Sequence, residues 1–163
     1  MFFSGDKRIV DKREAAVEGI LHHKVNDDMG SGGGARWNSL TIKYRYKKWI
    51  RYPKRHIKNK RMLVFNTDAL NDTVSITGHP LLELNVASDA NDIQLFVYLE
   101  ERLPNGKVRY VTEGLVRGIH KHVSEELPFN FPHAKPRFHK EDHYDWQPNT
   151  FEKVHIDMIP ISY

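Results

Sequence analysis

The stretch TVSITGHPLLELNVASDANDIQLFVYLEERLPNGKVRYVTEGLVR, residues 73–117, decides the fold. It carries three runs of alternating apolar and polar side chains: Leu82, Leu84 and Val86; then Ile93, Leu95, Val97 and Leu99; then Val108, Tyr110 and Thr112. A period of two puts successive side chains on opposite faces of a pleated strand, so each run predicts a strand with one buried face. Turn formers separate the runs. Ser88-Asp89-Ala90-Asn91-Asp92 is rich in side chains that hydrogen-bond their own backbone, and Pro104-Asn105-Gly106 supplies a tight reversal. Gly114 interrupts a long alternating run and predicts a bulge or a crossing between sheets. The stretch predicts an all-β fold, a β-sandwich.

On its N-terminal side, the strand-rich part begins near Met62-Leu63-Val64-Phe65, followed by a turn-rich link, Asn66 to Asp72, into Val74–Gly78. His79-Pro80 opens the next strand, where proline is tolerated because the first position owes little to the ladder. On its C-terminal side the alternation stops after Ile119. Pro128, Pro132 and Pro136 make the following segment a long connection, since proline cannot donate to a central ladder. Alternation returns from Phe151 to Pro160, with Val154, Ile156 and Met158 predicted to face inward.

The chain has 163 residues, enough for one domain with a sizeable core. Hydrophobic residues make up 39% and charged residues 28%, a globular balance. Cysteine is absent, which excludes disulfides, zinc–thiolate sites, iron–sulfur clusters and cysteine nucleophiles, and fits a cytoplasmic protein. No apolar run approaches the roughly 20 residues that span a bilayer, and the N-terminus turns polar too early for a signal peptide, so no membrane partner is expected.

The net charge of +4 is unevenly placed. Ten Lys and Arg residues and no acid lie between Lys43 and Arg61; the remaining 15 cations face all 21 acids, a balance of −6. Tyr44, Tyr46, Trp49 and Tyr52 are interleaved with these cations. Cations that neutralise phosphates and aromatics that stack on bases could together serve a single-stranded nucleic acid. The plainer expectation is an edge element or loop whose aromatics pack inward while its cations stay solvated. No RNA-binding signature accompanies the segment, so nucleic acid is not the expected partner. Residues 1–40 form an N-terminal extension. Asp11 to Glu18 predicts a short surface helix, and Gly30-Ser31-Gly32-Gly33-Gly34 a loop, because a phosphate loop would end in Gly-Lys-Ser/Thr after an apolar strand.

Four blocks in order resemble the C-terminal domain of the X-Pro dipeptidyl-peptidase and cocaine-esterase class of serine hydrolases. They are Phe65 to Leu70 leading into Val74–Pro80, then Val86 to Asp92, then Phe96–Glu100 with Val111–Arg117, and last Phe138-His139 to Gln147-Pro148 followed by Val154–Tyr163. The likeness covers about residues 62–163; Met29-Gly30 and Trp37 echo a preceding family segment. It implies a jelly-roll sandwich, similar to galactose-binding modules, packed on an α/β-hydrolase catalytic domain as partner. The parent enzymes cleave esters, amides or X-Pro dipeptides with a Ser-Asp-His triad. Here the catalytic domain and its Gly-x-Ser-x-Gly elbow are missing. The family's domain continues past the last strand present, so residues 62–163 read as a sandwich truncated at its C-terminal end, after a 41–61 basic segment. Without the missing strands an edge would stay open.

Candidate chemistry is correspondingly sparse. Ser75 and Ser88 lie in strand and turn contexts where a hydroxyl caps backbone groups. His120 with His122, and His139 with His143, stand near His133, Glu141, Asp142 and Asp145, residue types that hold divalent ions. Their spacing matches no metal motif, so surface or interface histidines are expected. Tyr144 and Trp146 could build an aromatic platform for a sugar, but fold alone does not license it; Trp146 is expected to pack against the partner domain or a loop. No catalytic, cofactor-binding or metal-ligating residue is assigned, no cofactor is expected, and a homo-oligomer is left open.

Overall fold

Strands occupy the alternating runs, and among the described residues helix is confined to single turns. The computed structural model describes residues 1–26, 52, 55–124, 135–136 and 138–163. In chain order the elements are β1 (Phe2–Phe3), β2 (Ile9–Val10), a helical turn α1 (Arg55–Lys58), β3 (Thr77–Gly78), β4 (Leu81–Val86), β5 (Gln94–Arg102), β6 (Val108–Arg117), β7 (Glu152–Asp157) and β8 (Ile161–Ser162). The fold is all-β. Two compact units divide it: residues 1–74 with 102–110, and residues 75–101 with 111–163.

In the first unit β1 pairs antiparallel with β2, and Arg8 bridges Asn66 in parallel. Ser4 is buried and its Oγ accepts the Val17 amide at 2.8 Å, which ties residues 1–17 together. Phe3 meets Phe65 edge-on, ring centres 4.6 Å apart. The helix expected from Asp11 to Glu18 is only a 3-10 turn, Arg13–Ala15. So short a segment cannot repay the cost of helix nucleation without a broad apolar face to bury. Met62–Phe65 is not strand either; the chain is extended there without a ladder until the Asn66 bridge. The Pro104-Asn105-Gly106 reversal forms as expected: Gly106 adopts φ +76° and donates to Leu103 O, while Asn105 Oδ1 accepts the Lys107 amide.

The second unit holds the main core. β4 and β7 pair antiparallel, Leu82 opposite Ile156 and Leu84 opposite Val154. β4 reads exposed, half-buried, exposed along its length, as its alternation predicts. Val154 and Ile156 are fully buried and Met158 nearly so. Val116 and Trp146 complete the buried cluster, with Leu82, Leu84, Val86, Ile93, Leu95 and Val97 packed around it. At about 25 cal/mol per Å² of apolar surface, such burial is the chief stabilising term.

β6 approaches β7 at Gly114, which bridges Met158; Ile159 N donates to Glu113 O, and Thr112 Oγ1 donates to Ile159 O at 2.7 Å. A Cβ on Gly114 would lie 2.9 Å from Asp157 O and from Ile156 Cγ2. The glycine in the alternating run therefore marks a close backbone crossing. β3 pairs with β8 beyond it.

Candidate functional site

The Ser88–Asp92 turn is built from its own side chains, Ser88 Oγ accepting the Ala90 amide and Asp92 Oδ1 the Ile93 amide at 2.8 Å. That leaves Asp92 Oδ2 to take the Nε–H of Arg117 at 2.5 Å, closing the ends of the two strands β5 and β6 on each other. Burial pushes the Asp92 carboxyl up, but Arg117 and the Ile93 amide outweigh it and hold the group below its ordinary value. Directly after Arg117, Gly118 donates to Ile93 O at 2.7 Å. A side chain at Gly118 would stand 2.7 Å from Trp146 Cε3, so the absent Cβ is what admits the indole.

Trp146 is 3% exposed and belongs to the core. Of the expectations for it, the exposed sugar platform does not hold, because the unit's own apolar cluster encloses the ring; packing against a loop does, since the ring lies on Gly118 in the turn after β6. Its neighbour Tyr144 is engaged as well. The phenol donates to Glu152, Lys121 also binds Glu152, and the Lys121 ammonium stands 3.8 Å over the Tyr144 ring. Lys121 and Tyr144 hold the Glu152 carboxyl below its ordinary value, and Glu152 in turn raises the Tyr144 phenol.

Between these groups lies an open depression of about 450 Å³, walled by Asn91, Asp92, Arg117, Ile119, Tyr144 and Trp146, with His143 and Asp145 at its rim. It offers fixed hydrogen-bond donors rather than a nucleophile beside a base, an arrangement suited to holding a ligand.

The histidines separate into pairs. His120 packs on Phe138 and His122 on Tyr144, ring centres 5.2 Å apart in each case. His139 Nδ1 lies 3.2 Å from Glu141 and His143 Nε2 3.1 Å from Asp145. Among the described residues no three His, Asp or Glu side chains converge as ligands would. His133 lies outside the described residues, as does Gly30–Gly34. Ser88 caps its own turn, and Ser75 is exposed ahead of β3 rather than in it. Of the basic segment only Tyr52 and Arg55–Arg61 are described. Tyr52 stacks on Tyr110 at 4.5 Å and Arg55 is buried. Sequence reasoning missed the Asp92–Arg117 pair. The two residues end two of the blocks quoted above, but no local pattern says that they meet.

Two proteins named "Putative serine esterase", from Mycobacterium bovis and Mycobacterium tuberculosis, are each 27% identical to the chain over 164 residues. The alignment takes in 99% of the chain but 26% of each relative, so the chain spans about a quarter of their length. No solved structure matches. A family profile, the X-Pro dipeptidyl-peptidase C-terminal non-catalytic domain, matches residues 13–163, and the chain belongs to that family.

Proposed function

We propose that the chain is the jelly-roll sandwich of a serine hydrolase that cleaves esters, amides or X-Pro peptide bonds. Its work is to support an α/β-hydrolase domain and to form one wall of the substrate cleft. The observation that carries this reading is the family match over residues 13–163, in a chain that covers only a quarter of its esterase-named relatives. The build of the second unit is consistent with it: side chains there are spent on capping turns, filling a core and tying a long connection to β7. On this reading residues 62–163 are the sandwich proper, and the chain alone is inactive.

Purified chain incubated with p-nitrophenyl esters and with Ala-Pro-p-nitroanilide should release p-nitrophenol or p-nitroaniline at the background rate. Turnover lost on serine modification would overturn the reading. The other function considered, a stand-alone module that binds an acidic or nucleic-acid ligand through Lys43–Arg61, draws no support from Tyr52, whose ring is committed to Tyr110.

A further inference from the structure

The spare hydrogen-bonding capacity around the depression is lopsided. Arg117 spends only Nε on Asp92, which fixes the guanidinium and leaves both terminal nitrogens with no protein acceptor among the described residues. Trp146 lines the same depression, and its indole N–H is buried without a hydrogen-bond partner. Arginine and tryptophan can only donate. Of the carboxylates that line the depression, Asp92 is committed to Arg117 and to the Ile93 amide, and the exposed Asp145 shares Oδ1 with His143 Nε2. Asn91 adds an amide at the edge. A molecule seated against Arg117 and Trp146 meets donors on that side and binds them by bringing acceptors.

We propose that the depression binds an organic monocarboxylate, its two oxygens held by the terminal nitrogens of Arg117. A planar fork of parallel N–H groups matches a carboxylate in a way that a lysine ammonium does not. Charge argues for a single negative group. Asp92 already offsets Arg117 and the exposed Asp145 carboxylate adds a further negative charge, so the site has no net positive charge to offer; the fork geometry of Arg117 must hold the ligand, and a second negative group on it would add repulsion. Ile119 and the Tyr144 ring give the walls apolar surface for a short tail. The volume, about 450 Å³, falls within the range of small-molecule sites. Free carboxylates are also what ester and peptide hydrolysis releases, so the site would take a product of the proposed parent reaction. That link rests on the hydrolase reading, whereas the binding does not.

The test is a titration of the ¹⁵N-labelled 163-residue chain, following the Trp146 indole N–H signal, assigned with Trp146→Phe. Butyrate and alanyl-proline are the probes; methyl butyrate and alanyl-prolinamide are their uncharged counterparts. A saturable shift with butyrate alone assigns a free short-chain acid, and one with alanyl-proline alone assigns a peptide C-terminus. Arg117→Lys keeps the charge beside Asp92 and the fold, checked by the dispersion of the spectrum, and should weaken binding about tenfold through loss of the fork. The proposal is overturned by absence of a saturable shift with either acid, by equal shifts from the uncharged counterparts, or by Arg117→Lys binding as well as the parent chain. Failure of the hydrolase reading in the turnover assay leaves this outcome unaffected, so the two are separable.

Discussion

Within the second unit, the β4–β7 ladder and the connection from Gly118 to Thr150 are held by different kinds of force. The ladder is set by backbone register and by apolar side chains that disappear into the core, Leu82 and Leu84 facing Ile156 and Val154. Among its described residues the connection has no ladder beyond the Ser124–Lys135 bridge. It is pinned by particular side chains: Lys121 and Tyr144 on Glu152, Lys135 on Asp157, and Trp146 against Gly118. Burial of those apolar side chains is non-directional and does not titrate, whereas the side-chain bonds of the connection are directional and do. A regular strand tolerates change on its outer face, whereas a connection held by a few bonds answers to each of them individually.

The sharpest way to break that contrast is to empty the ladder. Ile156→Ala removes a fully buried side chain beneath β4 and should cost about 3 kcal/mol, read as a lower urea midpoint at unchanged slope. Next comes the crossing. Gly114→Ala forces a Cβ to within 2.9 Å of a backbone carbonyl that cannot rotate away, and should cost about 1–3 kcal/mol in the same experiment. If Gly114→Ala is neutral, the strands are not in van der Waals contact there and the crossing is misread.

The smallest effect belongs to the connection and depends on pH. Lys121 and Tyr144 favour the charged form of Glu152, so its folded value lies below its unfolded one. The stability it adds is then present above the ordinary carboxylate range and disappears as pH falls through the lower, folded value. Glu152→Gln should lower the melting temperature at neutral pH, and the gap to the parent chain should close on acidification. A gap that stays constant with pH would mean that Glu152 acts by packing alone. At the other extreme Tyr144, raised by Glu152, favours its neutral form, and that contribution fades as pH climbs through the phenol's raised value.

Much of the ladder was legible in the sequence because alternation encodes which face is buried without reference to distant residues. Val154 and Ile156 could be placed inward from their spacing alone, and Gly114 announced itself as the one gap in a regular run. The depression was not legible. Asp92 and Arg117 are separated by the whole β5–β6 hairpin, and nothing local says that a carboxylate ending one turn will meet a guanidinium ending a strand. Trp146 misled for a related reason. A tryptophan among histidines, acids and prolines looks like surface, and only the missing Cβ of Gly118 makes room to bury it. Asp11–Glu18 shows the limit of propensity, since helix formers without a broad apolar face stop at one 3-10 turn.

The antiparallel pairing of β4 with β7 has a consequence in time. Leu81 finds its partner only at Asp157, across the whole of β5, β6 and the connection. Contacts so distant in sequence place the second unit among high-contact-order topologies, which fold slowly because loop-closure entropy must be overcome before the ladder rewards it. During synthesis the β5–β6 hairpin can form early. β4 waits as an unpaired edge until β7 has emerged, so that edge is where a nascent chain would first go astray.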